Sequence, residues 1–227
     1  MTGTLYGVAV GPGDPELLTA KAIRVLGAAP VLAWPAPLEG EGMARSIAAA
    51  HIPAGRTEIA IRLAFRPERD DTDAAYGSAA EDIAAHLAAG RDVAVLCEGD
   101  PLFFGSFIYL MARLAPRFAV EVVPGVPAMM AAAAALRVPV ATLDDAVAVI
   151  PATLAEDRIA GLLAAADAAV IMKVGRHLAK VRRVLDRQGL MNHAWLAERV
   201  GHPGQRLAAL AEIDSAPYFS LILVHKP

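Results

Sequence analysis

Apolar residues recur along the first half of the chain in short unbroken runs, each followed by a stretch in which they return every three or four positions. The runs Thr4–Val10, Pro30–Trp34, Thr57–Ile61, Val93–Cys97 and Ala119–Val123 have the length and content of buried strands. Between them, segments near Glu16–Leu26, Gly42–His51 and Ala74–Ala89 carry helical spacing. In the last of these, Tyr76, Ala80, Ile83 and Leu87 fall on one stripe, opposite the polar Glu81, Asp82 and His86. Strands alternating with amphipathic helices predict an α/β fold with a largely parallel sheet.

The stretch Pro116 to Pro127 carries prolines on both sides of a short strand, and Ala128 to Leu136 then reads as a close-packed, alanine-rich helix. A domain boundary is expected here, giving an N-terminal α/β domain over 1–118 and a C-terminal one over 119–227. In the second half, strands are expected near Ala146–Ile150, Ala168–Lys173 and Ala194–Arg199, and helices near Ala155–Ala165 and Leu178–Arg187. A terminal pair, Arg206–Ile213 and Tyr218–His225, is expected to close the sheet as antiparallel neighbours.

The chemistry concentrates in two loops, Gly11-Pro12-Gly13-Asp14-Pro15 and Glu98-Gly99-Asp100-Pro101, each directly after a strand-like run. In open α/β sheets that is where ligands bind. The first loop is a poor phosphate cradle, because Glu16 stands where a dinucleotide fingerprint needs its third glycine and Pro12 has no N–H to offer. Asp14, Glu98 and Asp100 disfavour a pyrophosphate and favour a ligand with sulfonium or ammonium groups. The competing account is that both loops are tight strand-to-helix turns, with Pro setting φ and Asp capping the next helix.

Composition narrows the function classes. With 56% apolar and 20% charged residues in 227, the chain is globular, and apolar stretches such as Val126 to Leu136 are shorter than a membrane helix. The N-terminus lacks a signal-peptide pattern, so a cytoplasmic location is expected. Cys97 is the single cysteine, which excludes an internal disulfide and a cysteine-cluster metal site, and the six histidines show no zinc spacing. No protein-bound metal is expected. A net charge of −3 carries no nucleic-acid footprint and favours a small organic substrate.

Read together, Gly7-Val8-Ala9-Val10-Gly11-Pro12-Gly13-Asp14, Glu98-Gly99-Asp100-Pro101-Leu102-Phe103-Phe104-Gly105-Ser106 and Val123-Pro124-Gly125-Val126 resemble the ordered signatures of the tetrapyrrole (corrin/porphyrin) methylases. Within that family, Gly3-Thr4-Leu5-Tyr6-Gly7, Asp14-Pro15-Glu16-Leu17-Leu18-Thr19 and Gly105-Ser106-Phe107-Ile108-Tyr109-Leu110 most resemble the precorrin-2 and cobalt-factor II C(20)-methyltransferase branch. The resemblance implies the class III adenosylmethionine-dependent methyltransferase fold: two α/β domains with a cleft between them and a homodimer as the working unit. It also implies methyl transfer from S-adenosylmethionine to C(20) of a tetrapyrrole in cobalamin biosynthesis. Rival readings are another macrocycle position such as C(11), C(17) or uroporphyrinogen III, an rRNA 2′-O-methyltransferase, and a non-catalytic binder of adenosylmethionine or a tetrapyrrole.

Carried over by motif, the cofactor contacts are Pro12, Gly99, Asp100, Phe103, Pro127 and Ala128, with Met172 and Val200 near further ones. Pro127 stands where relatives commonly carry Ser or Thr, and Phe65-Arg66-Pro67 departs from the family's usual Phe-Pro-Met. An electron-rich meso carbon can attack without an enzymic base; if a base exists, Glu98 and His177 are the candidates. The substrate's carboxylates call for cations, for which Arg62, Arg66, Arg69, Lys173 and Arg176 are placed after strand ends. Among the aromatics, Tyr109 is expected to be half-buried on the helix after the second loop.

Overall fold

A computed structural model describes residues 1–64 and 69–226 and divides into two compact units, Met1–Pro127 and Ala128–Pro227. The first unit is built on a five-stranded, all-parallel sheet in the order β3-β2-β4-β1-β5. Its strands are β1 (Thr4–Ala9), β2 (Val31–Pro37), β3 (Thr57–Leu63), β4 (Val93–Cys97) and β5 (Ala119–Val123). Its helices are α1 (Ala20–Ala28), α2 (Met43–Ala48), α3 (Arg69–Ala88) and α4 (Phe107–Leu114).

Strand periodicity sorts the core into two faces. Leu5, Ala33, Val93, Val95 and Cys97 pack with Tyr76, Ala80, Ile83 and Leu87 of α3 and with Phe107, Leu110 and Leu114 of α4. On the opposite face Val8, Leu32, Trp34, Ala94 and Leu96 meet Ala22, Val25 and Leu26 of α1 and Ala44, Ile47 and Ala48 of α2. The α3 stripe read from the sequence is therefore the buried one, and β4, buried at every position, is the middle strand of the sheet. Gly7 belongs to the same arithmetic: a Cβ there would lie 2.5 Å from the Phe107 ring, so β1 carries no side chain where α4 crosses it.

Two expectations are corrected in this unit. The helix expected over Glu16–Leu26 is a single 3₁₀ turn, Pro15–Leu17, followed by extended Leu18 and then α1. The Asp14 carboxylate accepts the Glu16 N–H at 2.9 Å and the Thr19 hydroxyl accepts the Ala22 N–H at 3.1 Å. Two successive N-caps thus start two separate segments. The domain division lies later than the expected 118/119, because β5 pairs with β1 and its Val120 and Val122 pack on the core of the first unit.

The second unit begins with α5 (Ala128–Leu136) and continues through β6 (Val147–Pro151), α6 (Glu156–Ala165), β7 (Ala168–Met172) and α7 (Leu178–Arg187). It ends with β8 (Ala194–Glu198), β9 (Arg206–Ala209) and β10 (Ser220–His225). The sheet order is β6-β7-β10-β8-β9; β6 and β7 are parallel, and β10 runs antiparallel to both β7 and β8. Ile159 and Leu163 of α6 and Val181, Val184 and Leu185 of α7 cover one face together with Ile150, Ile171, Leu196 and Ile222, while α5 packs on β8 and β10. The expected terminal antiparallel pair is not formed. β8 lies between β9 and β10, because β10 is buried from Ser220 to Val224 and takes a central place, whereas the half-buried β9 is left at the edge. Among the described residues no helix is long and apolar enough to cross a membrane.

Candidate active site

In the first unit all strands point the same way, so the glycine-rich segments after β1, β4 and β5 gather at one sheet edge. They are bonded to one another. Beyond the regular ladder, the Val10 N–H donates to the Cys97 carbonyl at 2.9 Å and the Gly99 N–H donates to the Gly11 carbonyl at 2.8 Å. Gly11 and Gly99 have φ of 75° and 65°, a region that favours glycine, so both loops turn sharply where they touch.

Asp100 joins the second loop to the third. One carboxylate oxygen accepts the Leu102 N–H at 2.9 Å, and the other accepts the Gly125 N–H at 3.1 Å. Gly125 sits so close that a Cβ would come to 2.3 Å from the Ala9 Cβ and 3.0 Å from the Gly99 carbonyl oxygen. Gly105 closes the second loop in the same manner, since a Cβ there would lie 2.3 Å from the Pro101 carbonyl oxygen. Pro12 is buried, Phe103 is half-buried, and the Phe103 and Phe104 rings meet edge to face at 5.1 Å. Phe104 carries a φ of 55°, a strained value for a side chain of that size. The structure thus brings Gly11, Gly99 and Asp100 into one bonded group, with Pro12 and Phe103 adjoining it in the two loops.

The electrostatics of this edge are set by burial. Glu98, between the buried Cys97 and Gly99, has its carboxyl pushed up to about 7 by desolvation, which makes it a group that holds or releases a proton near neutrality. The Cys97 thiol is raised further, by burial first and then by the charges of Asp100 and Glu98, and is inert as a nucleophile. For Asp14 the capping account holds, as its carboxylate is bonded to the Glu16 N–H.

Of the cations, Arg62 has a defined position: Nη1 donates to the carbonyls of Pro37 at 2.8 Å and Gly40 at 2.7 Å, pinning the loop after β2. That gives it a structural task the sequence did not reveal. Arg66 lies outside the described residues, as does the side chain of Arg69. Tyr109 is 44% exposed, more than the half-buried core role expected of it, with its ring 5.2 Å from that of Tyr76.

In the second unit, Met172 ends β7 and its carbonyl accepts the Ala152 N–H at 2.8 Å. Lys173 follows with φ 58°, and Arg199, after β8, has φ 49°. Val200 is buried and Ala128, the first residue of α5, is half-buried. Arg176 is exposed in the 3₁₀ turn Gly175–His177. His177 is held below the usual histidine range, by partial burial first and then by the charges of Lys180 and Arg176. An apolar hollow of about 630 Å³, lined by Met130, Ala133, Arg137 and Val138 among others, contains none of the nominated residues. Among the described residues no group of His, Cys, Asp and Glu is placed to hold a metal ion.

Sequence reasoning missed the Gly125 amide, the steric need for Gly105 and the φ of Lys173 and Arg199. The glycines stood in quoted motifs, and their spacing after strands was the available signal; the positive φ values had none.

The family model for tetrapyrrole (corrin/porphyrin) methylases matches residues 4–214. The chain belongs to that family. A precorrin-2 C(20)-methyltransferase from Sinorhizobium sp is 46% identical, over 98% of this chain and 95% of its own length. A cobalt-precorrin-2 C(20)-methyltransferase from Salmonella typhimurium is 32% identical, over 100% of this chain and 98% of its own. The crystal structure of a uroporphyrin-III C-methyl transferase from Thermus thermophilus, complexed with S-adenyl homocysteine, shares the fold with a TM-score of 0.69 at 24% identity, over 98% of this chain and 97% of that one. As a tetrapyrrole methylase, the protein is an α/β methyltransferase, and the bonded loops of its first unit lie within the residues that the family model matches.

Proposed function

We propose that the protein transfers a methyl group from S-adenosylmethionine to C(20) of precorrin-2 or its cobalt complex, in cobalamin biosynthesis. The observation that carries this reading is the 46% identity, over nearly the whole of both chains, to a protein named precorrin-2 C(20)-methyltransferase.

The residues of the first unit fit such a methyl donor. Pro12 offers no N–H, Asp100 adds a carboxylate at the same edge and Glu98 a second one when ionised, a donor set that suits sulfonium and ammonium groups and repels phosphate. Gly11 and Gly99 let backbone approach a ligand without a Cβ in the way. Pro12, Gly99, Phe103 and the backbone of Asp100 would hold the donor in this unit together with Pro127, and Ala128, Met172 and Val200 are the second unit's candidates. When bound, adenosylmethionine supplies an electrophilic methyl group on a sulfonium.

The chain's own contribution is alignment, since a fixed near-attack geometry can lower a barrier by about 7–11 kcal/mol in favourable cases. Charge leaves the sulfonium during transfer, so a carboxylate close to sulfur would oppose the step; the bonds of Asp100 to Leu102 and Gly125 suit binding rather than attack. Glu98 is the better of the two base candidates, being half-buried with its carboxyl pushed up to about 7, whereas His177 sits on a turn among cations. Lys173, Arg176 and the remaining N–H groups of Arg62 are offered to the substrate's carboxylates, with Arg66 as a further candidate. Family resemblance further supports a homodimer, and the net charge of −3 supports a small-molecule partner over nucleic acid; light scattering on the purified protein tests the dimer.

The deciding experiment is a single-turnover assay with labelled adenosylmethionine and, in separate anaerobic vials, precorrin-2 and cobalt-factor II, with the methyl position read by NMR. Label at C(20) in one vial establishes the reaction and the metal state of the substrate. Label at another carbon, or no transfer with donor bound, overturns the C(20) reading. Ala128→Arg is expected to abolish donor binding with the fold intact, checked by calorimetry and circular dichroism.

A further inference from the structure

We propose that Asp100 is a positioning residue through its side chain: the carboxylate sets the third loop, Pro124 to Pro127, and acts on the methyl donor through that loop without itself touching it. This rests on the adenosylmethionine reading above.

The geometry divides the work of the side chain between two backbone amides. One oxygen, on the Leu102 N–H at 2.9 Å, closes the second loop on itself; the other, on the Gly125 N–H at 3.1 Å, reaches 25 residues along the chain to a segment that has no regular structure of its own. A carboxylate accepting backbone N–H bonds forms charge-assisted bonds, roughly twice as strong as neutral ones. The third loop is also pressed against its neighbours, as a Cβ on Gly125 would meet the Ala9 Cβ at 2.3 Å and the Gly99 carbonyl oxygen at 3.0 Å. Gly125 is not among the glycines with positive φ, so its lack of a side chain answers to this contact and not to a turn. The aspartate and the glycine are two halves of one clasp: the first pulls the loop in, and the second lets it come close enough to be held. The Gly99–Gly11 bond fixes the first loop to the same body. The third loop thus inherits its position from Asp100, and Pro127, a proposed donor contact, lies two residues beyond Gly125.

Asp100→Asn separates positioning from contact. It keeps the size of the side chain and one acceptor oxygen, but loses the charge and turns an N–H toward a backbone N–H at one end of the clasp. Binding of adenosylhomocysteine, its deaminated analogue and 5′-methylthioadenosine is measured by calorimetry on the wild type and the variant, with ¹H–¹⁵N spectra of the ligand-free proteins. The expected result is a moved Gly125 amide signal and a loss of affinity of about tenfold to a hundredfold, by the same factor for all three probes. A factor that shrinks toward one for a probe lacking a particular group puts the carboxylate on that group and overturns the proposal, as does unchanged affinity for all three. A wild type that binds none of them overturns the adenosylmethionine reading, and this proposal with it.

Should Asp100→Asn not fold, Gly125→Ala tests the same clasp from the other side, with the carboxylate intact. It is expected to weaken all three probes alike, and Ala9→Gly in the same chain is expected to restore part of the loss by removing the 2.3 Å contact. Wild-type affinity in Gly125→Ala, or no recovery in the double variant, overturns the proposal.

Discussion

The two units use the same layered construction and reach opposite solutions at the centre of the sheet. In the first, the middle strand β4 runs parallel to its neighbours, and every strand delivers its following loop to one edge. In the second, the middle strand β10 is the last to be made and runs against both neighbours. The first unit concentrates glycine, proline and aspartate at its edge and bonds those loops to each other. The second is centred on β10, and the residues that follow β7 and β8, Lys173 and Arg199, carry positive φ without being glycine.

The largest effect that sharpens this contrast is expected at Ile222, fully buried in β10. Ile222→Ala should cost about 2–5 kcal/mol, and hydrogen exchange should show the loss in the second unit first; an equal loss of protection in both units would break the distinction. Next is Glu98. Its folded carboxyl titrates near 7, against 4.5 for an ordinary glutamate, because burial penalises the charge. The folded state holds the proton more tightly than the unfolded one, so this contribution is complete below about pH 4.5 and is lost as pH rises through about 7, a swing of about 3 kcal/mol. Glu98→Gln should remove that swing, stabilising the protein at pH 8 relative to wild type and leaving it nearly unchanged at pH 4, as read from urea midpoints. Unchanged pH dependence would deny the first unit an acid that holds its proton near neutrality. The smallest effect is at Arg62: Arg62→Met should cost about 1 kcal/mol and raise amide exchange around Gly40, with β10 unaffected.

How much the sequence disclosed follows the same contrast. In the first unit, strand positions, the α3 stripe and the loops were legible because burial and turn chemistry act there over a few residues at a time. Even so, Thr19 broke a helix that apolar spacing alone ran straight through, since one hydroxyl on the Ala22 N–H outweighs a continuous stripe. The boundary was misplaced because prolines around β5 look like a linker, while what decides membership is pairing with β1, more than a hundred residues away in sequence. In the second unit the strands were found but their order was not. Nothing local in Tyr218 to His225 says that β8 will come between it and β9; only the burial of β10 says so, and burial is a property of the assembled sheet. At the site, residue types nominated Asp100 as a ligand group, whereas its two hydrogen-bond partners are backbone amides that no side-chain pattern records.

Cys97 has a practical consequence. It is the chain's single thiol, it ends the middle strand of the first sheet, and its Sγ–H is buried against the Val95 carbonyl at 3.5 Å. Burial keeps it protonated and out of reach of alkylating reagents as long as β4 stays paired. The rate at which an alkylating reagent marks the untouched protein is therefore a clock for the opening of the first unit alone. A ligand held by the loops at that strand's end should slow the clock, without a label, a tag or a substitution having been introduced.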